Sequence, residues 1–254
     1  MDRRPNFLVA LALLVLSCVG AVKGESSAGC GKTPTITGKQ YSMTNRPYRL
    51  VFTWHQLGGS AQKIVDGKDT SRGGALPYYG LNAIANNSAI FVVPQGLNAG
   101  WGNQGGEDVT FFDQLAKTVA ADVCVDTRLR FSTGFSYGGA MSYALACARP
   151  KDIRAVAVIS GSQLSGCTGG NDPVAYYGQH GTSDSVLNVS RGRQLRDRFV
   201  RNNGCTAVSE TQPSGGRSVK TVYQGCNPGY PVTWKDGSVI FAPKNTWDFF
   251  TQFS

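Results

Sequence analysis

Gly134-Phe135-Ser136-Tyr137-Gly138 sets a serine between two glycines. A serine hydroxyl becomes a nucleophile when it is lifted clear of the backbone and a neighbouring base takes its proton. The flanks of Ser136 therefore matter as much as the serine. Before it, L-R-F-S-T mixes apolar and β-branched residues, and after it A-M-S-Y-A-L-A-C suits a helix packed on its alanine and leucine face. Ser136 falls on a strand-to-helix turn, where glycines two before and two after relieve crowding and leave the hydroxyl exposed. The pattern alone is a weak signal in a chain with 32 glycines, and the flanks are what make Ser136 a candidate nucleophile.

Two other stretches carry groups that such a serine needs. His55-Gln56-Leu57-Gly58-Gly59 follows the apolar V-F-T-W. In α/β hydrolases a glycine-containing loop after an early strand offers a backbone N–H to the oxyanion, paired with the N–H of the residue after the serine. Here the donors would be Leu57, or a neighbour, and Tyr137. His55 reads as a structural histidine fixing that loop. Gly178-Gln179-His180-Gly181-Thr182-Ser183-Asp184 follows P-V-A-Y-Y, and a carboxylate just beyond a late strand is where this fold keeps the acid that orients the imidazole. Asp184 is the candidate, although G-T-S-D is also the composition of a plain turn in which Asp184 bonds its own backbone. The base is the difficulty. Hydrolases of this fold run in the order Ser, Asp, His, with the histidine after the last strand. This chain has 2 His, His55 and His180, and both precede Asp184. As a substitute base, His180 is poorly placed, because the imidazole has to lie between serine and acid.

The elements that must hold these loops are legible as apolar runs: Y-R-L-V-F-T-W-H, A-I-F-V-V-P, L-R-F-S-T-G-F-S, A-V-A-V-I-S-G and P-V-A-Y-Y-G-Q-H. Helical patterns separate several of them. One spans Asp108 to Val119, with Asp108 as its cap and Val109, Phe112, Leu115, Ala116 and Val119 on one face. Another carries Arg191, Arg193, Arg196, Arg198 and Arg201, with Leu195, Phe199 and Val200 inward and the arginines expected on the outer side. Buried strands alternating with helices predict an α/β fold, a mostly parallel central sheet with helices on both faces. No GxGxxG or P-loop pattern follows a strand and no close Cys/His spacing suggests zinc, so no cofactor or metal is called for.

The chain opens with a basic M-D-R-R-P-N and the apolar F-L-V-A-L-A-L-L-V-L-S-C-V-G-A-V, the layout of a signal peptide too short to span a bilayer. Cleavage near Glu25 would leave 25–254 as one secreted, extracellular α/β domain. Removing 1–24 takes Arg3, Arg4 and Lys23 against Asp2, so the formal charge of +9 falls to +7. A solvated helix face is the better account of that excess; the alternative is a surface for acidic polymers, cell-wall polysaccharide before nucleic acid, and no membrane partner is expected once the leader is gone. Cys18 leaves with the leader, and Cys30, Cys124, Cys147, Cys167, Cys205 and Cys226 form an even set expected to make three disulfides. Cys205 with Cys226 is the one pair suggested, closing the polar loop between them for about 3 kcal/mol in the chain-entropy account. Asn86-Asn87-Ser88 and Asn188-Val189-Ser190 are N-glycosylation sequons.

Together G-C-G-K-T-P, P-Y-R-L-V-F-T-W-H-Q-L-G-G, G-G-A-L-P-Y-Y-G-L, G-W-G-N-Q-G-G-E-D-V-T-F, T-G-F-S-Y-G-G-A-M-S-Y, G-C-T-G-G-N-D-P-V-A-Y-Y-G-Q-H-G-T-S-D-S-V-L and P-K-N-T-W-D-F-F resemble the secreted fungal feruloyl esterases of the type C group, over nearly all of the mature chain. The resemblance implies an α/β-hydrolase that cleaves the ester joining ferulic acid to arabinose or galactose in plant cell-wall xylan and pectin, a monomer with Ser136 as nucleophile and Asp184 as triad acid. It also marks two departures. Relatives continue from the strand matching P-V-T-W into an F-D-G-D-H-type segment bearing the triad histidine, whereas Trp234 here runs directly into Lys235-Asp236-Gly237-Ser238. A fuller early hairpin is missing near Gly38-Lys39-Gln40-Tyr41, and two clean losses suggest misplaced exon boundaries. The chain as written is therefore expected to be nearly inactive. Acetyl xylan esterase chemistry and a non-catalytic polysaccharide-binding protein are the alternatives.

Overall fold

The structure is a computed structural model describing residues 24–36, 46–70, 75–209, 211, 213, 216–237 and 241–254. The expected leader, the shortened hairpin near 38–41 and the residues immediately after Gly237 lie outside them. In chain order the elements are β1 (Tyr48–Trp54), α1 (Ala61–Val65), α2 (Leu81–Ala85), β2 (Ala89–Val92), α3 (Glu107–Asp122), β3 (Val125–Phe135), α4 (Tyr137–Ala148), β4 (Ala155–Ile159), β5 (Ala175–Gly181), α5 (Val189–Asn202), β6 (Val219–Val222), β7 (Val232–Gly237) and α6 (Pro243–Thr251). They build a seven-stranded sheet in the order β2-β1-β3-β4-β5-β7-β6. All neighbours are parallel except the β6/β7 edge pair.

Alternation along β1 explains the two layers. Leu50, Phe52 and Trp54 enter one core with Phe112, Met141, Leu145 and Phe199, so α3, α4 and α5 cover that face. Val51 points the other way, into a core with Leu81, Phe131, Phe249 and Phe250 beneath α2 and α6. Phe131 and Phe250 are fully buried and stack at 4.7 Å, each contributing about 2–3 kcal/mol of burial. Three disulfides close the frame, Cys30–Cys124, Cys147–Cys167 and the expected Cys205–Cys226. Among the described residues no helix is long and apolar enough to cross a membrane.

Three local expectations are corrected. Helix α3 begins at Glu107 with Gly106 as its cap, and the Asp108 carboxylate instead accepts the Asn103 N–H at 2.9 Å. The arginines of α5 are not all outward. Arg196 is buried beneath the rings of Trp234 and Tyr223, 5.1 and 5.8 Å from its guanidinium, and bonds Asp197 at 2.7 Å. Arg193 reaches the buried Asp236 at 2.6 Å. A guanidinium that can stack on aromatic faces or fork onto a carboxylate is tolerated inside where an ammonium is not. The last strand also runs past Trp234. Lys235, Asp236 and Gly237 pair with Gln179, His180 and Gly181 of β5, and Asp236 also pairs with Val219 of β6, so the ladder is filled on both sides through residues expected to form a loop.

Candidate active site

The C-terminal ends of β1, β3 and β5 bring the predicted loops to one edge of the sheet. Ser136 caps α4 with φ 55° and ψ −114°, a region that residues with a Cβ occupy only under constraint. Its N–H donates to Ile159 O at 2.9 Å and its carbonyl accepts from Ala140 at 3.0 Å, so both neighbours of the turn pin it in place. The flanking glycines are explained by close approach. A methyl at Gly134 would run into the Gly138 backbone, and one at Gly138 into the Trp54 carbonyl. The tight β3-to-α4 junction, with α4 pressed on β1, exists only without those two side chains.

The loop after β1 is held from several directions. Gln56 N–H donates to Asp69 Oδ2 at 3.0 Å, Gly58 N–H to Ala99 O at 2.8 Å and Gly59 N–H to Gln56 O at 2.9 Å. Between them, the Leu57 N–H has no partner among the described residues, and neither has the Tyr137 N–H at the head of α4. Those are the two donors named from sequence. The Leu57 side chain is exposed, and a methyl on Gly100 would touch both it and the Tyr137 ring, so the two loops meet there.

His55 is fully buried and its ring is saturated. Nδ1–H donates to Gln56 O at 2.8 Å, and Nε2 accepts from the Gly96 N–H at 3.0 Å. Its own carbonyl accepts from Trp101 Nε1 at 2.8 Å. Burial pushes its pKa below the ordinary 6.5, against the pull of Gln56 and Asp69. The ring ties the loop after β1 to the loop after β2. Asp69, which nothing in its G-K-D-T context marked, is the other support: fully buried, it lies 2.6 Å from the Tyr79 hydroxyl. Burial raises its pKa, opposed by the Tyr79 and Gln56 hydrogen bonds.

Asp184 lies beyond β5, two strands from Ser136, or about 10 Å at ordinary strand spacing. Its Oδ1 accepts from the N–H groups of Val186 and Leu187, both at 2.9 Å, so the side chain does build its own turn. Oδ2 faces His180 Nε2 at 3.6 Å. The closer partner of that Nε2 is Leu187 O at 2.7 Å, and a methyl on Gly192 of α5 would strike the ring's Nδ1. Buried Nδ1 has no partner among the described residues, and burial lowers the pKa. Neither histidine ring is hydrogen-bonded to Ser136 among the described residues. No group of three His, Cys, Asp or Glu gathers as a metal site there either.

Both histidines fold neutral, which fixes a sign. Below the ordinary value of 6.5 the unfolded chain binds protons that the folded chain refuses, so stability falls as pH drops from 7 towards 5. Asp69, with its raised value, opposes this only at the acid end. Melting curves at pH 7, 6 and 5 should show the decline, and His180→Asn should make it shallower; an unchanged slope in the variant would contradict the assignment.

No protein-family model matches the chain. A Neurospora crassa protein named feruloyl esterase D is 55% identical to it, covering 97% of this chain and 98% of its own. The alignment runs over 283 positions, more than the 254 residues here, so it includes positions at which this chain has none. Feruloyl esterase C of Emericella nidulans is 44% identical, covering 94% of this chain and 96% of its own. Among solved structures, an acetyl xylan esterase from Aspergillus awamori superposes with a TM-score of 0.58 at 14% identity, over 81% of this chain and 89% of that one, a likeness of fold alone. With identity this high over nearly the full length of both chains, this protein belongs to the fungal feruloyl esterase family, on an α/β-hydrolase fold.

Proposed function

We propose that this chain is the frame of a secreted, monomeric serine carboxylesterase for feruloyl esters of arabinose or galactose in plant cell-wall xylan and pectin, lacking its general base. Ser136 is the nucleophile, Asp184 the acid, and the N–H groups of Leu57 and Tyr137 the oxyanion donors. The observation that carries the reading is the constrained Ser136 at the head of α4, with two unengaged N–H groups on the loops beside it. In the complete machinery an imidazole takes the Ser136 proton, the serinate adds to the ester carbonyl, and the two N–H groups hold the new oxyanion. The sugar hydroxyl leaves with the imidazolium proton. Water, deprotonated by the same imidazole, then adds to the feruloyl-enzyme and releases ferulate.

The acyl group is supported by the rim. Leu57, Leu97, Leu164 and Val186 are exposed, on the loops that follow β1, β2, β4 and β5. Apolar side chains ringing one edge suit an aromatic acid better than acetate. A second reading, a polysaccharide-binding protein that has lost catalysis, is favoured by the engagement of both histidines elsewhere. Secretion is supported by the leader-like start and the three disulfides.

An organophosphonate tests the nucleophile, since an unactivated serine hydroxyl is a poor one at neutral pH. Ser136 should label in a protein carrying the family's histidine segment after Trp234, and neither its Ser136→Ala variant nor the present chain should. Equal labelling of the present chain would refute the argument.

A further inference from the structure

The loop after β4 and the exposed side of α5 enclose a polar groove of about 620 Å³ whose charge is one-sided. Arg191, Arg198 and Arg201 line it, spread along about 15 Å of helix. Asp197 is the one acid in the lining, and its carboxylate is already held by Arg196 at 2.7 Å. Neither Arg191 nor Arg201 has a carboxylate partner among the described residues. Arg198 is fixed in place by donating to Gly170 O at 3.1 Å. Ser162 adds a donor of a different kind: it is 3% exposed, lines the groove, and its Oγ has no partner. A buried hydroxyl without a partner costs free energy until a ligand supplies one.

We propose that this groove binds the carboxylates of an acidic oligosaccharide, a chain of uronic acid units, with Arg191, Arg198 and Arg201 as charge partners and Ser162 as a hydroxyl donor. Guanidinium forks match carboxylate geometry, and donors spaced over several helical turns match an extended, repeating anion. Nucleic acid is a worse fit, because Tyr143, the one aromatic residue in the lining, is buried and leaves no face on which a base can stack. The groove is lined by the loop after β4, the strand next to β3, and Ser136 follows directly on β3. This deepens the esterase reading by naming the polymer that carries the ester. It is tested by binding alone, so it can fail while Ser136 still labels, or hold while Ser136 does not.

Calorimetric titration of the present chain with a galacturonic acid trimer at low salt is the experiment, on endoglycosidase-treated protein because sequon residue Asn188 borders the groove. Arg191→Gln with Arg201→Gln should weaken binding about tenfold or more. Lys117→Gln with Lys220→Gln, which removes the same charge from exposed positions elsewhere, should leave it unchanged. Ser162→Ala should weaken it several-fold, with melting curves confirming that each variant is folded. The methyl-esterified trimer should not bind. Equal loss in both double variants, equal binding of the methyl ester, no binding, or tighter binding of an oligonucleotide through the same arginines would each overturn the proposal.

Discussion

Inserting after Trp234 the histidine-bearing segment that the proposed function calls for is expected to raise kcat on methyl ferulate by about 10⁴-fold or more over the chain as written, because on that proposal the chain lacks its general base and retains only what the oxyanion donors and binding provide. The structure sharpens where the repair acts. Lys235, Asp236 and Gly237 now occupy ladder positions opposite Gln179, His180 and Gly181, with Lys235 buried at 8% exposure and its pKa lowered by that burial. The insertion is expected to shift these three along the ladder and so to loosen the Asp236 contact with Arg193. Thiol titration and circular dichroism on both proteins should show the same fold with three disulfides intact. A folded native chain that hydrolyses methyl ferulate as fast as the repaired one would overturn the argument, and His180→Asn would then be the next variant to assay.

In the repaired protein, Asp184→Asn is expected to lower kcat by about 10⁴-fold with little change in KM, since the carboxylate stabilises imidazolium formed only in the transition state. Asparagine keeps a carbonyl oxygen for the N–H groups of Val186 and Leu187, so the turn it builds survives. That retention separates the two roles of Asp184. Were the residue only a turn former, the asparagine variant would keep its activity, and the acid would have to be sought elsewhere.

What could be read in advance was local. The switch from a β-branched run to an alanine-rich one around Ser136, and the glycines two residues either side, are written within a dozen positions, and the strained turn follows from them. Of the five apolar runs that became β1 to β5, β4 and β5 are buried on both faces, whereas the edge strand β2 and the polar start of β3 are only partly covered. Contacts between distant loops left no such trace. Asp69 supports the loop after β1 through a single N–H and a tyrosine hydroxyl, and G-K-D-T has no period or spacing that announces it. The inward turn of Arg196 was hidden for a related reason, since its partners Trp234 and Tyr223 come from the far end of the chain. Strand β6 is short, half-exposed and antiparallel on an edge, with too few apolar residues to stand out.

The first described residues are moored at the opposite end of β3 from Ser136. Ser27 bonds the backbone of Val123 and Val125, and Cys30 is joined to Cys124, at the start of the 11-residue strand whose far end delivers Ser136. Val125 lies opposite Tyr48 of β1 and Gly134 opposite Trp54, so about 20 Å separates the two ends. Anything fused ahead of Glu25, whether an affinity tag, a carbohydrate-binding module or a surface tether, would hang from the end of β3 opposite Ser136 and leave the edge that holds Ser136 facing outward. The C-terminus offers the same end, because the Phe253 carbonyl accepts from Arg49 Nη2 at 3.1 Å beside the start of β1, so either terminus can serve as the attachment point.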